Sequence, residues 1–302
     1  MSAIARGLGR SPSVITREVK ANGGRDAYAI WPAHERARLQ TKRPKPGKLS
    51  HPKLCAKVTE WLQELWSPQE IANRLKIEFP KKAEMNVSHE TIYQSLFVQG
   101  RGELRRELAR CLRSGRTKRR PQGKASSPGP IANMAMISKR PPEVEDRAIP
   151  GHWEGGLIIG KDGKSAVGTL VERQTRYVKL LHLPNGRSAK EVEAAMREAV
   201  AQIPASLAKS LTWDRRWQTA SHSPFPPTSA VYFCDPHSPW MRGTNENTNG
   251  LLRQYMPKGT DLSLLLAKDL RRIEDSLNGR PRMTLGYRTP AEKYAEVVAL
   301  ST

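Results

Sequence analysis

The segment that follows Pro150 constrains the fold more than any other part of this sequence. It contains three successive stretches with the composition of β-strands, GGLIIG, SAVGTLVERQ and RYVKLLHLP. Ser188 and Glu191 then form a capping box that opens the helix SAKEVEAAMREAVAQI, and LTWD and VYFCD follow as two short buried strands. A meander of strands followed by alternating helices and strands predicts an α/β domain, with a mixed five-stranded sheet and helices on its faces.

The charge balance of the chain predicts a polyanionic partner. Its 302 residues include 51 Lys and Arg against 29 Asp and Glu, which gives a formal net charge of +22. Nucleic acid is the simplest partner for this excess, and a basic ribosomal or membrane-surface protein is the alternative. The sequence has no run of about eighteen apolar residues and no apolar leader, so we expect a soluble, cytoplasmic protein. The three cysteines show no C-x-x-C spacing and predict neither a disulfide framework nor a thiolate zinc site.

The first segment, AIARGLGRSPSVITREVKANGG, has the pattern of helix, turn, helix. Ser11 is placed to cap the second helix, with Pro12 at its first position. Val14, Ile15 and Val19 are predicted to face inward. The outward residues, which would enter the DNA major groove, are Ser13, Thr16, Arg17 and Lys20. Short helical hairpins also occur without DNA, and no helix precedes this pair in the sequence, so we expect a truncated helix-turn-helix motif.

A second all-α unit is predicted from LCAKVTEWLQELW, SPQEIANRLKIEF and SHETIYQSLFVQG. Ser67 and Glu70 form a capping box at the start of the middle helix. The predicted core consists of Ile71, Leu75, Val87, Ile92 and Leu96. The candidate DNA-reading residues are His89, Thr91 and Gln94. For His89, a surface or capping role is the alternative.

A basic linker is predicted between the helical units and the sheet. No acidic residue occurs from Ala109 to Pro142, and Gly, Ser and Pro interleave with the basic residues as far as Gly129. The residues expected to contact the phosphate backbone include Arg116, Lys118, Arg119 and Arg120. A solubilising tether is the alternative.

Asp214 and Glu246 are the candidate catalytic carboxylates. Asp214 ends the strand SLTWD. The stretch CDPHSPWMRGTNENTNGLLRQ places Glu246 in the first turn of a helix, where free amides and the positive dipole end favour negative charge. Carboxylates that meet at one rim of a sheet can hold two divalent ions about 4 Å apart for attack on a phosphodiester. Mg²⁺ suits such hard oxygen ligands.

The same helix is predicted to continue through Arg253. Seven residues separate Glu246 from Arg253, which places both side chains on one face about 10 Å apart. Arg253 is therefore a candidate for holding DNA beside the carboxylate. A capped amphipathic surface helix is the alternative for this stretch taken alone.

Several blocks of the sequence resemble the transposases of the insertion sequence 30 family. They include GHWEGGLIIG, TLVERQTRYVKLLHL, LTWD, VYFCDPHSPWMRGTNENTNGLLRQYMPKGTDLS and LNGRPRMTLGYRTPAEKY. SPQEIANRLKIEFP and VSHETIYQSLFVQGRGELRRELAR are similar too, so the resemblance covers most of the chain.

The resemblance implies a bacterial, nucleoid-associated enzyme with a ribonuclease-H-like catalytic domain preceded by helix-turn-helix DNA binding. The family reaction is nicking at element ends, followed by attack of the 3′ hydroxyl on target DNA. It uses an Asp, Asp, Glu triad and a two-metal site for Mg²⁺ or Mn²⁺. Asp214 matches the second Asp and Glu246 matches the Glu, so both are the implied metal ligands. The implied partners are the terminal repeats, target DNA and further copies of the chain, since pairing two ends requires more than one active site. No membrane or small-molecule cofactor is implied.

Two departures from the family pattern put catalytic competence in question. The family strand reads GHWEGD, whereas Gly156 stands here in place of the first Asp. Glu154 lies two residues earlier on the same strand face, about 7 Å away, but metal sites tolerate little displacement, so we do not expect it to substitute. After Asp214, the family helix is replaced by RRWQTASHSPFPPTSA, which contains three prolines and cannot form a good helix.

The sequence therefore predicts a DNA transposase whose activity is in question. The alternatives are a non-catalytic DNA-binding protein that occupies element ends as a repressor, and a basic scaffold or RNA-binding protein. The predicted parts are a truncated helix-turn-helix with a basic arm (1–48), a second helical unit (49–112), the basic linker (113–148) and the catalytic core (149–302).

Overall fold

Three short helices make up the amino-terminal unit. The computed structural model describes residues 2–41, 47–97, 148–213, 229–234 and 239–301. The chain divides into two compact units, Met1–Ser50 and His51–Thr302. The first contains α1 (Ser2–Gly7), α2 (Pro12–Ala21) and α3 (Ile30–Thr41). Among its described residues, the buried hydrophobic ones are Ala5 and Ala33, so this unit gains little stability from apolar burial.

Helix α2 begins at Pro12 as predicted, but two details of the prediction are wrong. Ser11 occupies the N-cap position without capping the helix, and its hydroxyl lies 2.9 Å from that of Ser13. Val14 is exposed rather than inward-facing, while Ile15 and Val19 are half-buried. Helix α2 buries none of its residues completely, so no packed face selects the orientation of Val14.

Three helices form within the second predicted helical unit. It contains α4 (Pro52–Gln63), α5 (Pro68–Glu78) and α6 (His89–Phe97). The capping box is present at the start of α5: Glu70 N donates to Ser67 Oγ at 3.3 Å, and Ser67 N donates to Glu70 Oε2 at 2.6 Å. The predicted core residues are all buried: Ile71, Leu75, Val87, Ile92 and Leu96. Helical periodicity was sufficient here because these helices pack mainly on one another.

Five strands of the described residues form one mixed sheet. They are β1 (His152–Ile159), β2 (Ala166–Glu172), β3 (Val178–Leu181), β4 (Ser210–Trp213) and β5 (Ala230–Phe233). The spatial order is β3-β2-β1-β4-β5. Strands β1, β2 and β3 pair in an antiparallel meander, while β4 pairs parallel with both β1 and β5. This arrangement confirms the predicted mixed sheet and is compatible with a ribonuclease-H-like fold.

Two hydrophobic cores lie on opposite faces of this sheet. Four helices of the described chain cover it: α7 (Ala189–Ala201), α8 (Gly243–Leu252), α9 (Ala267–Asn278) and α10 (Pro290–Ser301). Leu170 and Trp213 belong to the core beneath α7 and α10, whereas Val171 belongs to the core beneath α8 and α9. Because successive strand residues point to opposite faces, β2 contributes to both cores and all its residues are buried.

Ion pairs tie helix α5 to the carboxyl-terminal segment of the same unit. Arg280 is 1% exposed, and its Nε lies 3.0 Å from Glu70 Oε2 while its Nη1 donates to Gln254 Oε1 at 2.7 Å. Arg74 binds both carboxylate oxygens of Glu292, at 2.9 and 2.6 Å, and this contact holds the pKa of Glu292 at about 2. Glu70 therefore serves both the capping box of α5 and its attachment to the sheet-bearing part of the unit.

Neither a membrane helix nor a paired cysteine is found in the described part of the chain. No described helix combines the length and the apolar character needed to cross a bilayer. Cys55 is an exposed free thiol and Cys234 is a buried one. Cys111 lies outside the described residues.

Candidate active site

The three candidate triad positions lie on or next to three elements: β1, β4 and α8. Gly156 lies in β1 itself. Strand β4 runs parallel to β1, with Thr212 opposite Glu154, and ends at Trp213. Asp214 follows Trp213 in the sequence and lies outside the described residues, so its predicted role stays a prediction. Glu246 lies in the first turn of α8, as predicted.

Gly155 allows the end of β4 to pack against β1. A Cβ atom at position 155 would lie 2.0 Å from Cζ3 and 2.1 Å from Cε3 of Trp213. The indole of Trp213 is 1% exposed and belongs to the core beneath α7. Any side chain at 155 would therefore displace the residue that immediately precedes Asp214.

Gly156 faces the opposite side of the sheet, where residues at the start of α8 fill the adjacent space. A Cβ at 156 would lie 2.6 Å from Nη1 of Arg242 and 2.8 Å from Oδ1 of Asn245. Arg242 Nη1 donates to Gly155 O at 2.8 Å, and its Nη2 lies 3.4 Å from Glu246 Oε1. A single guanidinium thus lies against the Cβ position of Gly156 and beside the carboxylate of Glu246. The Glu246 side chain remains 44% exposed.

The carboxylate of Glu154 is buried, and each of its oxygens accepts a hydrogen bond. Its Oε1 accepts from Arg173 Nε at 2.9 Å, and its Oε2 accepts from the Asn245 backbone N–H at 2.9 Å. Both side chains of the ion pair are at most 5% exposed. This geometry supports the expectation that Glu154 does not substitute for the missing Asp, because its carboxylate is buried and already paired with the positive charge of Arg173, which would repel a metal cation.

Further hydrogen bonds hold the first turn of α8 on the sheet. Asn245 Nδ2 donates to Thr169 Oγ1 at 2.8 Å, and Thr169 Oγ1 donates to Gly156 O at 3.2 Å. Arg176 Nη1 donates to Thr244 Oγ1 at 2.6 Å. The roles of Arg242, Asn245 and their partners were not predicted from the sequence. The sequence does contain one indication of these contacts, the polar stretch RGTNEN at the start of α8. Such a stretch can lie on a buried sheet only if its polar groups form hydrogen bonds there.

Arg253 directly follows the last residue of α8. The helix ends at Leu252, and Arg253 is its C-cap residue, whose backbone N–H donates to Asn249 O at 3.1 Å. Its Nη1 donates to Met256 O at 3.3 Å and its Nη2 to Ile159 O at 3.0 Å. Partial burial lowers the pKa of the Arg253 guanidinium from its ordinary value. These two carbonyl contacts direct the side chain toward the end of β1.

The donor set of the described residues does not fit a two-metal site. Gly156 has no side chain to contribute, and both oxygens of Glu154 are engaged. Glu246 remains as one partly exposed carboxylate beside Arg242. No group of three or more His, Cys, Asp or Glu side chains in the described ranges is placed to hold a metal ion.

The candidate DNA-binding residues are placed as follows. On α2, Ser13, Thr16, Arg17 and Lys20 are exposed, although Thr16 Oγ1 and Arg17 Nε each donate to a carbonyl of their own helix. On α6, His89 and Gln94 are exposed. Thr91 is half-buried, and its N–H donates to Ser88 Oγ at 3.1 Å, so it also serves the start of its helix. The four linker residues Arg116, Lys118, Arg119 and Arg120 lie outside the described residues.

Comparisons with known proteins identify the family. No protein-family model matches the chain. The chain is 46% identical over 308 residues to the transposase for insertion sequence element IS1086 of Cupriavidus metallidurans, covering 100% of this chain and 91% of that protein. It is 40% identical over 310 residues to transposase InsI for insertion sequence element IS30A of Escherichia coli K12, covering 99% and 79%. It is 33% identical over 302 residues to the transposase for insertion sequence element IS4351 of Bacteroides fragilis, covering 98% and 90%. With such identity along nearly its whole length, the chain belongs to the IS30 family of insertion-sequence transposases.

Proposed function

We propose that this chain is a DNA transposase of an insertion sequence that binds element ends but has lost metal-dependent cleavage and strand transfer. Its relatives are named transposases for insertion sequence elements. The net charge of +22 supports a DNA partner, since affinity for DNA is dominated by contacts with its phosphates. Pairing of two ends favours a homo-oligomer.

The observation that carries this proposal is the position of the Arg242 guanidinium. It lies against the Cβ position of Gly156 and 3.4 Å from Glu246 Oε1. Residues far apart in the sequence, on a central strand and a covering helix, are thus brought together as an Asp, Asp, Glu triad requires. This proximity supports the assignment of Gly156 and Glu246 to the first and third positions.

The family triad would place Mg²⁺ or Mn²⁺ on Asp214 and Glu246, together with the carboxylate that Gly156 lacks. Such metals stabilise both the attacking and the leaving oxygen of a phosphodiester. Two carboxylates without the third would be expected to bind the metal weakly, because metal sites tolerate little loss or displacement of their ligands. We therefore propose that the loss at Gly156 abolishes cleavage and leaves DNA binding intact.

The direct test restores the missing carboxylate. Purified wild type, Gly156→Asp and the matched control Gly156→Asp/Glu246→Gln are incubated with labelled element-end DNA and Mg²⁺ or Mn²⁺. We expect all three to bind the ends and only Gly156→Asp to nick them. If the wild-type chain nicks end DNA, and Glu246→Gln abolishes that reaction, the proposed loss of activity is wrong.

The missing side chain at Gly156 also favours a second candidate function, repression of an active element. A chain that binds ends without cleaving them would compete with a competent transposase for the same sites. Added to an active relative and its own end DNA, the wild-type chain should lower the nicking rate in proportion to the ends that it occupies. Equal affinity for end and unrelated DNA would contradict both candidates and favour the basic scaffold or RNA-binding protein instead.

The predicted division into four parts remains part of this proposal. In it, α2 and α6 present the DNA-reading residues, the segment 113–148 follows the phosphate backbone, and residues 149–302 form the catalytic core. The candidate contacts are Ser13, Thr16, Arg17, Lys20, His89, Thr91, Gln94 and Arg253, with the four basic linker residues. Alanine substitution of a base-reading residue should lower the preference for end DNA, whereas substitution of a phosphate contact should weaken binding to all DNA equally.

A further inference from the structure

Helix α8, which carries Glu246, begins without a capping side chain of its own. Its N-cap residue is Arg242, whose side chain makes no capping bond. The first amides of a helix have no partner within the helix and require an acceptor from elsewhere. In most helices a Ser, Thr, Asp or Asn at the N-cap supplies it.

Glu154 supplies this acceptor from strand β1. Its Oε2 lies 2.9 Å from the backbone N of Asn245, the third residue of α8, which is the amide that an N-cap side chain ordinarily binds. Its Oε1 is paired with Arg173 at 2.9 Å. Glu154 is 0% exposed and Arg173 is 4% exposed. Burial of a carboxylate is costly unless it is paired and hydrogen-bonded, and here an arginine and a helix amide provide both interactions.

We infer that Glu154 is a positioning residue: a helix cap held on a strand, which fixes the first turn of α8, and with it Glu246, against β1 at Gly156. Asn245 reinforces the same contact, because its side chain bonds Thr169 and Thr169 in turn bonds Gly156 O. One strand therefore carries the first triad position and also sets the distance to the helix that carries the third. The catalytic consequence rests on the proposed function, whereas the capping contact does not.

Structural support for the fold alone is the competing explanation for a buried ion pair, and the two explanations predict different effects. Loss of a merely structural pair would speed amide exchange throughout the unit through global unfolding. Loss of a cap speeds exchange first at the amide that it held. The Asn245 N–H is therefore the reporter, and the buried amides of β2 measure global opening.

The experiment is amide hydrogen exchange of the full chain, followed by NMR. In the wild type, the Asn245 amide should exchange far more slowly than an unbonded amide. The test variant is Glu154→Met/Arg173→Met, which removes both buried charges together, because removing only one would leave the other unpaired. Its Asn245 exchange should be about tenfold faster relative to β2 amides, and Glu154→Gln, which keeps an acceptor of the same length, should give a smaller increase.

Glu172→Gln is the matched control. Glu172 is another wholly buried carboxylate of the sheet, and its contacts are with Gly151 N at 3.1 Å and Thr175 N at 2.6 Å, away from α8. This change should leave Asn245 exchange unaltered relative to the β2 amides. An unprotected Asn245 amide in the wild type, or equal Asn245 rates in the wild type and the double methionine variant, would overturn the inference.

A second measurement separates this inference from the proposed function. Mn²⁺ binding is followed by electron paramagnetic resonance in the Gly156→Asp protein, with and without the two methionine substitutions. We expect Gly156→Asp to bind Mn²⁺ and the methionine substitutions to weaken that binding at least tenfold. If Gly156→Asp binds no Mn²⁺, the assignment of position 156 is contradicted, and the exchange rate of Asn245 still decides the role of Glu154.

Discussion

Replacing Gly155 with alanine should destabilise the protein far more than the same replacement at Gly156. Both glycines lie in β1, so the intrinsic effect of alanine in a strand largely cancels in the comparison. They differ in what the new methyl group meets. At 155 it would lie 2.0 Å from the Trp213 ring, and at 156 it would lie 2.6 Å from the guanidinium of Arg242 and 2.8 Å from the Asn245 amide oxygen.

The expected magnitudes follow from how readily each neighbour can move. The Trp213 indole is packed within a core and cannot shift without disturbing β4 and α7. Overpacking of this kind costs about 1–3 kcal/mol and occasionally more. We place Gly155→Ala at or above about 3 kcal/mol, at the top of that range. Gly156→Ala meets the far ends of two side chains and should cost about 1 kcal/mol. At about 2–4 °C per kcal/mol, the corresponding decreases in Tm are about 6–12 °C and 2–4 °C.

Urea unfolding followed by circular dichroism measures both variants, and tryptophan fluorescence reports displacement of Trp213. A second substitution, Trp213→Leu, removes the ring that the new methyl group meets. In the Gly155→Ala background it should therefore cost much less than it does in the wild type, a coupling that a double-mutant cycle measures. An equal or larger loss for Gly156→Ala, or independent effects at 155 and 213, would refute the reasoning.

Three further outcomes are expected. The pairing with Arg74 lowers the pKa of Glu292 from 4.5 to about 2, so its contribution to stability is present above the unfolded pKa and is lost as the pH falls through the folded one. Acid titration of unfolding should accordingly be steeper between about pH 5 and 2 in the wild type than in Glu292→Gln, and identical slopes would exclude this contribution. Arg280→Met should destabilise the unit by about 1–3 kcal/mol because it leaves the partly buried carboxylate of Glu70 without its cation, and adding Glu70→Gln should recover part of the loss in urea unfolding. Glutamine substitution of the four basic linker residues should flatten the slope of log affinity for DNA against log salt by roughly 0.9 for each phosphate that is no longer neutralised, and an unchanged slope would contradict backbone binding by Arg116, Lys118, Arg119 and Arg120.

The features that the sequence alone determined are those set by local patterns. The strand meander, the start of α8 before Glu246 and the capping box of Ser67 and Glu70 were predicted correctly. Each depends on residues within a few positions of one another. The core of α4 to α6 was also predicted, because helical periodicity identifies the apolar face when the helices pack on each other. The orientation of Val14 was not, since it depends on what lies beside its helix.

Only the tertiary structure decided what surrounds Gly156. The sequence shows that Gly156 lacks a carboxylate, but strand pairing and the packing of α8 determine that Arg242 lies against it. Strand pairing and helix packing also bring Glu154 to the Asn245 N–H, from which it accepts a hydrogen bond, and to Arg173, with which it forms an ion pair. No local sequence pattern encodes these two interactions. A buried charge must find its partner wherever the fold brings one. Glu154 meets Arg173, just after β2, and Asn245, on α8, only after the sheet and its covering helix have assembled.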